Sequence, residues 1–97
     1  MRIKILSSAL EDLYEARLFY EQQGVGLGDY FFDSLFSDID SLVLYGGIHR
    51  KVACYHRLLS KRFPYAIYYT VENQDLILVT RVLDLRQDPK KIRRALR

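Results

Sequence analysis

The feature that most constrains this chain is a change of hydrophobic period at Gly46-Gly47. Before it, apolar residues recur every three or four positions; after it, they alternate or run on as β-branched and aromatic residues. A chain of 97 residues that is helical first and strand-rich afterwards has room for one core. The expectation is a single α+β domain spanning residues 1–97.

The elements follow from the same pattern. Arg2 to Leu6 alternates and reads as a short strand. Ser7 and Ser8 offer N-caps, with Ser8-x-x-Glu11 fitting a capping box. Ala9, Leu13, Ala16 and Tyr20 then mark one face of a helix that ends near Gly24. A second helix runs from Leu27 or Asp29 to Tyr45 on the stripe Phe31, Leu35, Ile39 and Leu42. The few residues between them make the pair an antiparallel hairpin. Tyr55–Ser60, Phe63–Glu72 and Leu76–Leu83 read as strands joined by short turns, an antiparallel meander. Alternation sets Phe63, Tyr65, Ile67, Tyr69 and Val71 against the helices, with Ala66, Tyr68 and Thr70 on the far side. Asp88-Pro89 can cap and start a last helix, with Ile92 and Leu96 inward; the alternative is a frayed tail. The order is β-α-α-β-β-β, an antiparallel sheet packed on an N-terminal helical hairpin, with a short basic C-terminal tail or helix.

Composition excludes several classes. One cysteine, Cys54, allows no internal disulfide, and with two histidines it builds no zinc cluster. Cys54 reads as a small packing residue. No cofactor or metal is expected. No apolar run approaches the roughly 20 residues of a membrane span. MRIKILSSALED starts with cations like a leader peptide, but its apolar part stops at Glu11-Asp12. A cytoplasmic protein is expected.

Charge is divided between the halves. Residues 1–46 hold 3 Lys/Arg against 8 Asp/Glu, whereas residues 47–97 hold 12 against 4. The second half therefore projects a positive field suited to an acidic partner or a phosphate backbone; a solubilising surface is the plain alternative.

Four stretches carry a family resemblance over nearly the whole chain: Ala9-Leu10-Glu11-Asp12-Leu13, Gly26-Leu27-Gly28-Asp29-Tyr30-Phe31, Lys61-Arg62-Phe63-Pro64-Tyr65-Ala66-Ile67-Tyr68-Tyr69, and Arg81-Val82-Leu83-Asp84-Leu85-Arg86-Gln87-Asp88-Pro89. In these the chain resembles the RelE/ParE toxins of type II toxin–antitoxin systems, associated with plasmid stabilization and growth inhibition. RelE-type members resemble metal-free ribonucleases that cut messenger RNA on the ribosome, chemistry that needs a base, an acid and cations around the phosphate. Here Ala66 stands where such members carry a central-strand Arg, and the tail after Pro89 has no Tyr, His or Glu. No catalytic residue is assigned; a ribonuclease would have to use His56, Arg57, Lys61 and Arg86. ParE-type members resemble inhibitors of DNA gyrase and need a binding surface instead. Many carry His-Gly before the late arginine, where this chain has Asp84-Leu85.

The resemblance therefore implies a toxin that binds an essential target, DNA gyrase or replication first. The alternatives are a ribosome-dependent ribonuclease acting on messenger RNA and an inactive relative that keeps only antitoxin binding. The implied partner is an antitoxin, with operator DNA reached only through it. Candidate target- or antitoxin-binding residues are Arg50, Lys51, Arg57, Lys61, Arg62, Arg86, Lys90, Lys91, Arg93 and Arg94. Arg81, inside a strand, is expected to pack its stem and pair its head with an acid of the helices.

Overall fold

The computed structural model describes every residue from Met1 to Arg97. Its elements are β1 (Arg2–Ile5), α1 (Ser7–Gln23), α2 (Leu27–Asp40), α3 (Leu42–Tyr45), β2 (Lys51–Val52), β3 (Tyr55–Leu59), β4 (Tyr65–Asn73), β5 (Leu76–Asp84) and α4 (Pro89–Ala95). The α+β class and the order of helices before strands are as expected.

Helices α1 and α2 meet through the two stripes read from the sequence. Ala9, Leu13, Ala16 and Tyr20 are buried on one, Phe31, Leu35 and Ile39 on the other. Close approach depends on Gly28, where a Cβ would lie 2.7 Å from the Arg17 carbonyl oxygen. Gly26 has no side chain to cap α2, so Glu21 reaches across: its carboxylate accepts from the Gly26 and Gly28 amides. The helix expected to run to Tyr45 stops at Asp40. There the Ser41 hydroxyl donates to the Asp38 carbonyl, competing with the helical ladder.

The sheet runs β1-β5-β4-β3-β2. Its last four strands are the antiparallel meander, with the two-residue β2 added at the edge. The sheet is mixed because β1 lies parallel to β5, from Arg2↔Leu76 to Ile5↔Val79. A parallel neighbour needs a long crossover, and everything from α1 to β4 supplies it.

Because β1 ends at Ile5, β5 projects past it as an open edge, and α1 closes that edge. The Ser8 hydroxyl donates to the Thr80 carbonyl at 2.7 Å, and the Asp12 carboxylate accepts from the Val82 amide at 2.9 Å. This corrects the capping-box reading: the N-cap is Leu6, with no side-chain cap, and Ser8 serves the sheet.

Alternation along β4 holds from Tyr65 to Tyr69. Tyr65, Ile67 and Tyr69 join the core under the helices, while Ala66 and Tyr68 join a smaller cluster with Leu83 and Leu96. A register shift between Tyr68 and Tyr69 leaves Thr80 without a partner residue in β4. Val71, expected inside, follows this shift and is exposed. Phe63 and Pro64 precede the strand instead of opening it, since Pro64 has no amide for the ladder. The tail is a helix: Asp88 accepts from the Lys90 amide, Pro89 fills the first position, and Leu96 is buried.

Cys54 corrects another expectation. It is exposed, and with Ala53 it forms the two-residue turn between β2 and β3. Both have positive φ, 51° and 70°, the pairing a type I′ turn requires and one that glycine and asparagine adopt more readily.

Candidate functional site

The far side of the sheet is where the cations gather. Arg57 of β3, Tyr68 of β4 and Arg81 of β5 stand directly across from one another. They share one face. Helix α4 crosses this face and sets Ile92, Ala95 and Leu96 over Ala66, Tyr68 and Leu83. Between α4 and the β2–β3 hairpin lies an open groove lined by Val52, Tyr68, Leu85 and Ile92, with Arg57 and Arg93 among its polar residues. Burial pushes the Tyr68 phenol up, and the neighbouring Arg57 guanidinium offsets part of that rise.

The sequence-derived cations fall into two groups. Arg50 lies beside Arg57, whose amide donates to the Arg50 carbonyl, and Lys51 opens β2 opposite His56. Lys90, Lys91, Arg93 and Arg94 are exposed on α4. Lys61 and Arg62 occupy the β3–β4 turn at the other end of the strands, exposed, and Arg86 stands in the turn after β5 at that same end. The two turns touch: the Leu85 amide donates to the Pro64 carbonyl.

The arginine inside β5 and the arginine in the turn after it do different work. Arg81 is paired as expected. Its Nε and Nη2 donate to the two Asp12 oxygens at 2.8 and 2.9 Å, and its Nη1 donates to the Ala95 carbonyl at 3.2 Å. One guanidinium thus ties α1, β5 and the end of α4 together. Hydrogen bonding to Asp12 raises its pKa against the cost of burial. Arg86 is half exposed; its Nε and Nη2 donate to Asp84 at 3.0 and 2.8 Å. That hydrogen bonding holds the Asp84 carboxyl below its usual range. Arg86 also lies 3.4 Å from the Tyr20 hydroxyl. Tyr65 beside it is pushed up to about 12, by burial first and then by Asp84.

The groups that a ribonuclease would need are not brought together. His56 and Arg57 are neighbours on a strand and point to opposite faces. His56 stacks on Tyr69 on the helix side, and its Nδ1 donates to the His49 carbonyl. His49 in turn meets the Tyr69 hydroxyl, which also accepts from the Gly47 amide. Both histidines pin the loop before β2. Ala66 is fully buried beneath α4. No group of three or more His, Cys, Asp or Glu is placed to hold a metal ion, and no helix is long and apolar enough to cross a membrane. The apolar groove wall escaped the sequence reading, although Ile92 and Leu96 already marked an inward face on the tail.

Comparison with known proteins agrees with this geometry. No curated protein sequence matches the chain. A solved structure described as the chromosomal ParDE TA system from P. aeruginosa shares the fold with a TM-score of 0.73. The match covers 89% of this chain and 97% of that one at 15% identity, so it is a likeness of fold. The sequence model of the ParE toxin of type II toxin–antitoxin system, parDE, matches residues 3–89. That span runs from β1 into the first residue of α4, and by it the chain belongs to the ParE toxin family of type II toxin–antitoxin systems.

Proposed function

We propose that this protein arrests growth by binding an essential component of DNA replication, DNA gyrase first among them, and that a cognate antitoxin neutralises it. The observation that carries this reading is a cationic face without a proton-transfer pair. Arg57 and Arg93 are free of carboxylate partners, while His56 points to the other side of the sheet. Acid–base catalysis contributes about 10²–10⁴ in rate and needs its groups within reach of one reacting centre. A binding toxin needs only surface complementarity. Family membership supports the toxin role, and the cations of β3, the two sheet-end turns and α4 supply the surface.

The test is induction of the chain in growing bacteria with DNA and protein synthesis followed side by side. DNA synthesis is expected to stop first, and purified protein is expected to inhibit supercoiling by gyrase. Translation stopping first, with codon-dependent cleavage of messenger RNA on purified ribosomes, contradicts the reading. Unaffected growth at clear soluble expression contradicts it as well.

A further inference from the structure

We infer that the uncharged segment Ser41–His49, with Met1 and Val71 beside it, is a self-association surface on which a second copy of this chain docks about a two-fold axis. The inference goes beyond the toxin reading and does not depend on it. Between Asp40 and Arg50 the chain carries no Lys, Arg, Asp or Glu. Only Phe63–Val71 runs as long without charge, and most of it is the buried part of β4. Ser41–His49 instead faces outward. Leu44 is 79% and Ile48 73% exposed, and Val43, Tyr45 and Met1 are each about half exposed. These side chains form one patch. The Ile48 amide donates to the Tyr45 carbonyl, folding the turn back on α3. A Cβ at Gly46 would lie 3.2 Å from the Met1 sulfur, and one at Gly47 would lie 3.7 Å from the Val71 side chain, so both residues border the turn. The patch is held in place from below: Leu42 is fully buried, and the Gly47 amide donates to the Tyr69 hydroxyl at 3.0 Å.

Area and charge select the occupant. Val43, Leu44, Tyr45, Ile48, Met1 and Val71 expose roughly 700 Å² per copy, more than the about 300–600 Å² of the largest patch on a typical monomer. Two such patches face to face would bury roughly 1,400 Å², within the range of a standard interface. A two-fold contact sets each group against its own copy, so like charges at the centre would repel. This centre has none. The charged residues that flank it in sequence have both signs, Asp40 and Glu72 against Arg2 and Arg50. All four are exposed, and none is ion-paired within the chain, so they are free to pair across the axis. The exposed Tyr14 and Leu18 of α1 lack this character, because they stand among Arg17, Glu21 and Asp29. A membrane surface fits less well, since a single helical turn without cations offers little to anionic headgroups. The patch lies at the end of the sheet that holds the β4–β5 turn, away from Lys61, Arg62 and Arg86, so a dimer leaves those cations uncovered.

The test is sedimentation velocity of the full chain from about 1 to 100 µM. A species of about 23 kDa, twice the 11.5 kDa chain, is expected to grow with concentration. Leu44→Asp with Ile48→Asp should weaken association about thirtyfold or more, since it sets like charges against each other at the centre of the contact. Leu18→Asp and Leu59→Asp, at exposed apolar positions elsewhere, should leave association unchanged. Thermal melting of each variant shows whether its fold is kept. Leu44→Lys with Ile48→Lys should also be monomeric alone, and mixing it with the Leu44→Asp, Ile48→Asp protein should restore the dimer, an outcome that unfolding does not produce. A chain that stays monomeric throughout overturns the proposal. So does association that survives Leu44→Asp with Ile48→Asp, association that Leu18→Asp or Leu59→Asp abolishes, or failure of the oppositely charged variants to associate when mixed.

Discussion

The two faces of this sheet are built to different depths. On the inner face, α1 and α2 bury Phe31, Leu35 and Ile39 against Ile67, Tyr69, Val79 and Val82, all at 2% exposure or less. On the outer face, a single seven-residue helix covers a cluster of four buried residues. The inner face thus carries most of the burial that stabilises the domain, whereas the outer face carries charge over a thin apolar layer. A thin layer opens locally at little cost to the whole, which suits a surface that must meet a partner.

The largest effect that sharpens this contrast is Phe31→Ala. Phe31 is fully buried among Tyr20, Phe63 and Tyr65, and its loss is expected to cost about 3–5 kcal/mol in urea unfolding. Leu96→Ala is expected to shift the same midpoint by about 1 kcal/mol or less and to speed amide exchange in α4 alone. Equal costs for the two would break the comparison.

Arg81→Ala comes next. It leaves Asp12 partly buried without its cation and frees the end of α4, for an expected loss of about 2–4 kcal/mol. Thermal melting of this variant beside Asp12→Ala and the double variant checks it: the double loss should fall well short of the sum.

Much of this was legible in the sequence because it depends on period. The stripe Ala9, Leu13, Ala16, Tyr20 and the alternation from Tyr65 to Tyr69 record burial directly. Arg81 was legible too, since a cation between Thr80 and Val82 in an apolar strand needs a partner. What escaped depends on contacts distant in sequence. Ser8 looks like a cap until β5 is seen to outrun β1. Ala53-Cys54 lacks the glycine or asparagine that announces a type I′ turn, so β2 went unseen. His56 and Arg57 are adjacent in the chain yet divided by the sheet. The groove needed the tail laid over the hairpin before its wall existed.

That turn gives a smaller prediction of opposite sign. Ala53→Asn with Cys54→Gly relieves two left-handed residues and is expected to stabilise the domain by about 1 kcal/mol or more, read as a raised melting temperature. Destabilisation would show that the side chains there make contacts worth more than the strain.

The smallest effect concerns pH. Burial, then the charge of His56, holds His49 below its ordinary value of 6.5. The unfolded chain therefore takes up that proton first. Its contribution to stability is complete above about pH 6.5 and is lost as pH falls through the lower folded value. The urea midpoint should drop from about pH 7.5 to pH 5, and His49→Gln should flatten the drop. An unchanged slope in that variant removes His49 from the account.

The proposed division of labour, with the ion-paired Arg81 holding the fold and the exposed cations meeting the partner, is tested by Arg86→Ala. The Arg86–Asp84 pair is half exposed at the arginine, so its loss should cost no more than about 1 kcal/mol. The measurement is growth arrest on induction at matched soluble level, with the urea midpoint of the same protein. Arrest is expected to be strongly reduced, with the midpoint nearly that of the parent. Full arrest by Arg86→Ala at equal soluble level would contradict it and leave Arg86 as a residue that only shapes its turn.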